Sequence, residues 1–119
     1  MDFCDKNILQ QILSLSSDEK DKFDFGIIGI DEKKIIIDYN HTEELLSGYK
    51  KEFVIGKNLF LDIAPCMNNY LVALKFEERD QFDEIIPYIL SFKVKPVSVD
   101  LRLIKDKDRK IGYVLVKRR

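Results

Sequence analysis

Cys66 closes the run VIGKNLFLDIAPC (Val54 to Cys66), and a thiol at the end of an apolar loop has a short list of uses. It can pack as a small hydrophobe, or, as the thiolate, react and hold a group covalently. Upstream, Tyr39 and Glu43 stand in YNHTE. A phenol and a protonated carboxyl can each donate a hydrogen bond, so the three residues together describe an anchor and two donors rather than turnover machinery. Glu43 also has a structural reading, because Asn40 followed three residues later by Glu43 has the spacing of a capping box. Enzyme signatures are otherwise missing. A single histidine, His41, supports neither a histidine metal cluster nor a Cys–His pair backed by further histidines, and the five glycines form no phosphate-binding loop. His41 is expected to lie exposed in the first turn of a helix, and Glu44 to be solvated.

The elements that must position these side chains can be read from periodicity. Ile8, Leu9, Ile12 and Leu13 form a narrow helical stripe within 3–15, and Ser16 to Glu19 break that helix and cap a second short one. FGIIGI, the turn DEKK and IIIDY read as a β-hairpin from Phe25 to Tyr39. Asn40 then starts a short helix through Leu45 and Leu46 that ends at Gly48. The stretch from Val54 to Asn69 is irregular, and Leu71, Leu74 and Phe82 predict a helix from Tyr70 to about Phe82. Three strands follow. Tyr88, Leu90, Phe92 and Val94 share a face of the first; Val97, Val99, Leu101 and Leu103 alternate with Ser98, Asp100 and Arg102 in the second. KDKDRK is a hairpin turn before the last, IGYVLV. This order predicts an α+β domain, a five-stranded antiparallel sheet with helices on one face and an N-terminal helical cap. The cap is placed at 1–22 and the body at 23–119.

Composition sets the bounds. At 119 residues the chain is one domain, with 45% apolar and 34% charged residues, the balance of an ordinary soluble protein. Twenty basic against 21 acidic residues leave a net charge of −1, which argues against a nucleic-acid or membrane-surface partner. No apolar stretch is long enough to span a bilayer, and MDFCDKNILQ lacks the pattern of a signal peptide. With only Cys4 and Cys66 a disulfide framework is excluded, and a reduced, cytoplasmic monomer or weak dimer is expected. Cys4 carries no role.

From Phe23 to Arg118 the sequence resembles the photoactive yellow protein family, blue-light receptors of the PAS superfamily. The strongest part is VIGKNLFLDIAPC, close to that family's IGKN, two apolar or aromatic residues and APC; the closing VLVKR also matches. The resemblance implies a PAS-type sheet and no enzymatic turnover. It implies p-coumaric acid (4-hydroxycinnamic acid) held on Cys66 by a thioester. Tyr39 and Glu43 fall on the residues that hydrogen-bond the phenolate oxygen of that chromophore, and Ser47 on a threonine that supports the tyrosine. Ile28, Ile63, Ala64, Pro65, Leu90, Phe92 and Val94 fall on or near pocket-lining positions. A downstream signalling protein would read the light-driven conformational change.

The physical requirements of such a site match these residue types. A thioester persists only where water is excluded, and a phenolate among apolar side chains is costly without donors. Glu43 would have to be buried and neutral. Proton transfer from it would leave an uncompensated buried carboxylate, and the N-terminal helices are the segment expected to detach. Some positions depart from the family. Tyr49 stands where an arginine covers the pocket, Met67 replaces a threonine, and Val94 replaces a methionine linked to fast recovery, which implies a slow return to the dark state. Two other readings stay open: a PAS interaction or small-ligand module without chromophore, and a sensor using Cys66 as a reactive thiol.

Overall fold

Strand β1 (Gly26–Ile30) is buried at every position, which happens only where both faces of a sheet are covered. In the computed structural model, which describes residues 2–91 and 95–119, this is so. The chain runs α1 (Ile8–Ser14), α2 (Ser17–Lys20), β1, β2 (Ile36–Tyr39), α3 (His41–Ser47) and α4 (Lys51–Val54). A π-helical turn (Leu59–Ile63), a 3-10 turn (Pro65–Met67), α5 (Ala73–Glu78), β3 (Phe82–Leu90), β4 (Val97–Asp106) and β5 (Ile111–Arg118) follow. All strand pairs are antiparallel, in the order β2-β1-β5-β4-β3. The expected α+β class and five-stranded antiparallel sheet are therefore observed.

Each face of the sheet has its own core. On one, Ile28, Tyr39, Leu101 and Val114 meet Val54, Phe60, Ile63 and Phe76 from the helical connection. On the other, Ile27, Ile104, Tyr113 and Leu115 are covered by Phe3, Ile8 and Ile12 of the N-terminal segment. At roughly 1.5–3 kcal/mol for each large apolar side chain removed from water, Ile8 and Ile12 account for much of what holds that segment down. The cap expected for a second short helix is observed at the start of α2, where Ser16 and Glu19 form a capping box. Between its buried ends, edge strand β3 alternates half-buried and exposed positions instead.

Three expectations change. The helix placed at Tyr70 to Phe82 is confined to Ala73–Glu78, and Phe82 already opens β3. Its inward residues are Ala73 and Phe76, with Val72 just before, while Leu71 and Leu74 are exposed. Arg102, one of the polar residues that alternate with the apolar face of β4, is 4% exposed. Its guanidinium donates to Asp83 at 2.9 and 2.8 Å and to the carbonyls of Phe3 and Asp5 at 2.9 and 2.6 Å. The position faces away from the main core as the alternation requires, but the N-terminal segment covers it.

Candidate functional site

β2 delivers Tyr39, and the chain turns at Asn40 directly into α3, which delivers Glu43 and, one turn later on the same face, Ser47. Asn40 fixes this junction. Its side-chain oxygen accepts the backbone N–H of Glu43 at 3.0 Å and of Ile27 at 2.8 Å. Its amide nitrogen donates to the carbonyls of Phe25 at 3.1 Å and Lys20 at 2.9 Å. One buried amide thereby ties α3 to β1 and to the N-terminal segment. Gly48, at φ 82°, ends the helix in the left-handed conformation that favours glycine.

Only half of the expected capping box exists. The Asn40 N–H, which the Glu43 carboxylate would have to accept, instead donates to the Ile27 carbonyl at 3.1 Å. Glu43 has no solvent exposure, and neither carboxyl oxygen has a hydrogen-bond partner. Desolvation pushes its pKa up from 4.5 to about 8, so at neutral pH the group is largely protonated. A β-carbon at position 26 would lie 1.9 Å from Glu43 Oε1; Gly26 provides the space the carboxyl occupies. Leaving a buried polar group unpaired costs about 1–3 kcal/mol, so helix capping does not account for this side chain.

Tyr39 is buried opposite Ile28 on the same sheet face. Its hydroxyl lies 2.6 Å from Ser47 Oγ, and Ser47 Oγ accepts the Tyr49 N–H at 3.1 Å. When Ser47 donates to Tyr39, the phenol keeps its own proton for another acceptor. Burial first, and the Glu43 charge second, raise the Tyr39 pKa beyond the ordinary phenol range, so that proton is retained.

Cys66 is half-buried in the 3-10 turn and packs against the same core cluster that holds Tyr39, Ile28, Ile63, Ala64, Met67 and Leu90. Tyr49 packs on that cluster too, and stacks on Phe53 with ring centroids 5.7 Å apart; an aromatic pair stands where a cation was the family pattern. Pro65, expected in the lining, is exposed and starts the turn that carries Cys66. Phe92 and Val94 lie outside the described residues. His41 is exposed as expected, with Nδ1 2.9 Å from Glu44 Oε1. Glu44 is not simply solvated, since its other oxygen accepts the Lys51 N–H at 2.6 Å, and these bonds lower its pKa. Gly26 and the sheet-bridging side of Asn40 were not anticipated; a glycine at the start of a buried strand was the available signal for the first.

The match to known proteins follows the same residues. The PAS fold family matches residues 9–118. A photoactive yellow protein from Rhodothalassium salexigens is 31% identical over 101 residues, 82% of this chain and 81% of that protein. The chain belongs to the photoactive yellow protein family. Another member, from Halochromatium salexigens, is 27% identical across 98% of this chain and 95% of its own length. Among solved structures, the photoactive yellow protein domain of the sensor histidine kinase Ppr from Rhodospirillum centenum superposes with a TM-score of 0.78 at 30% identity. That alignment covers 84% of this chain and 96% of the domain. Sheet order, the Tyr39–Ser47 pair and the buried Glu43 thus sit in the fold of a sensory family. Among the described residues no helix is long and apolar enough to cross a membrane.

Proposed function

We propose that this chain is a light sensor that carries p-coumaric acid as a thioester on Cys66, with the phenolate oxygen held by Tyr39 and Glu43. The observation that carries the reading is Glu43: a fully buried carboxyl with two unpartnered oxygens, near a phenol whose proton is available when Ser47 donates to it. Such an arrangement is costly unless an acceptor completes it, and a phenolate is an acceptor that takes both donors. When bound, the group supplies a double bond that light isomerises and an oxygen that exchanges a proton. Everything else falls to the chain. Cys66 anchors one end from a turn packed on the core. Tyr39, oriented by Ser47, donates its hydroxyl. Glu43 holds the proton on its carboxyl and gives it up when its partner moves, becoming a buried carboxylate that the apolar surroundings do not stabilise. The resulting strain favours a rearranged fold, to be read by a partner protein. Membership of a sensory family without general catalytic chemistry supports a signalling role rather than turnover.

The test is to mix the chain with activated p-coumarate and record its mass and visible absorption. A single coumaroyl adduct with a new blue-absorbing band, both lost in Cys66→Ala, is expected. No adduct on the intact chain would overturn the reading in favour of a PAS module without chromophore.

A further inference from the structure

The Cys66 peptide is held by two side chains that no part of the proposed chemistry uses. Tyr88 reaches inward from edge strand β3 and donates its hydroxyl to the Cys66 carbonyl at 2.6 Å. Asn69 donates to the same carbonyl at 3.2 Å and to the Tyr88 oxygen at 2.6 Å. Asn69 is itself fixed from the other side, its Oδ1 accepting the N–H groups of Leu71 at 3.0 Å and Val72 at 3.2 Å. A carbonyl oxygen has two lone pairs, and here both are engaged. The Cys66 peptide plane therefore cannot rotate without breaking two bonds.

We propose that Tyr88 and Asn69 are positioning residues for Cys66, clamping its carbonyl so that the side chain is presented to the core in a single orientation. The consequence for an acyl group rests on the function proposed above; the clamp on the thiol does not. The 3-10 turn needs such help. It has three residues (Pro65–Met67), and short 3-10 segments have poor hydrogen-bond geometry and hold little by themselves. A covalent anchor must stay still while the far end of its cargo moves, which requires a supporting shell that fixes the attachment atom. Burial raises the Tyr88 pKa, consistent with a hydroxyl kept protonated as a donor. Tyr88 stands between the exposed Pro87 and Ile89, so the clamp also joins the anchor to the uncovered edge of the sheet.

The experiment uses the full chain in a Cys4→Ser background, so that Cys66 is its only thiol. Tyr88→Phe removes the hydroxyl and keeps the ring. Asn69→Asp keeps the oxygen that caps Leu71 and Val72 but removes the amide donor. Two readouts are taken without chromophore. The infrared band of a carbonyl-13C-labelled Cys66 shifts to higher frequency in both variants, a signature that a general loss of stability does not produce. The alkylation rate of Cys66 by iodoacetamide rises about five- to tenfold, the change one neutral hydrogen bond's net contribution supplies. An unshifted band, or a rate within about twofold of the parent in both variants, overturns the clamp. Coumaroylation of the parent is scored separately: a chain that takes no chromophore yet gives the band shift and the faster alkylation sinks the proposed function and supports the clamp.

Discussion

Glu43 is neutral in the folded chain near pH 7 because burial lifts its pKa to about 8, whereas an unfolded glutamate titrates near 4.5. Between those values the folded state binds the extra proton, so stability must fall as pH rises through the window and level off above it. The slope approaches about 1.4 kcal/mol per pH unit at its steepest. Glu43→Gln removes this contribution. Urea unfolding of parent and variant across the window should give a stability difference that grows in the variant's favour with pH; a pH-independent difference would mean the carboxyl is not held neutral. Gly26 belongs to the same residue-scale account. Gly26→Ala puts a methyl 1.9 Å from Glu43 Oε1, so the carboxyl must move or the strand must shift. Overpacking of this kind costs about 1–3 kcal/mol, measured by urea unfolding. On the function proposed above, it should also displace the absorption band of coumaroylated protein, since one of the two proposed phenolate donors has moved.

At the scale of elements, the legible parts of the chain were those where one local force decides. The hairpin, the capped start of α3, its stop at Gly48 and the last two strands follow from period, cap chemistry and turn residues. The boundary between α5 and β3 was not legible, because Phe82 has the spacing of a helical residue and the burial of a strand residue. The site was legible unevenly as well. Tyr39, Glu43 and Cys66 stand out by type and Ser47 only through the family resemblance, but whether Glu43 serves as a cap or as a buried acid depends on where the Asn40 N–H points, which is a fact of sheet pairing. Tyr88 acts on Cys66 across the fold, a contact that leaves no local pattern, and the fit of Gly26 against Glu43 likewise exists only once α3 packs on β1. Asn40 tests the junction these elements share. Asn40→Ala removes an N-cap, worth about 0.5–2 kcal/mol, and also leaves the buried Ile27 N–H unpaired, at about 1–3 kcal/mol. The loss should therefore exceed that of a surface cap. Hydrogen exchange should speed at the Glu43 and Ile27 amides first; equal speeding across the whole sheet would mean that Asn40 does not act as a local hinge point.

At the scale of the molecule, one sheet separates the core that holds Tyr39 and packs against Cys66 from a second core closed by the N-terminal segment. That segment is held by apolar burial and by polar contacts that cross the interface, among them the Asn40 bond to the Lys20 carbonyl and two that involve charged side chains. Lys20 Nζ lies 2.7 Å from Asp38 Oδ2, which also accepts the Tyr113 hydroxyl at 3.1 Å. Arg102 binds the Phe3 and Asp5 carbonyls while Asp83 neutralises it. Asp38 and Tyr39 are neighbours on β2, so the strand that carries the site also carries one of these contacts. Arg102→Met separates local from global holding. Methionine keeps an unbranched apolar side chain in the same space, and Asp83 is left half-exposed, where an unpaired carboxylate costs little. The loss then falls on the two carbonyls of the N-terminal segment. Hydrogen exchange should show residues 2–15 losing protection by about a hundredfold or more, the effect of two hydrogen bonds to a charged group at roughly 1.5–3 kcal/mol each, while amides of β4 and β5 keep theirs. Protection lost evenly across segment and sheet would instead make the two cores a single cooperative unit, and a segment that cannot leave on its own could not serve as the moving part of a signal.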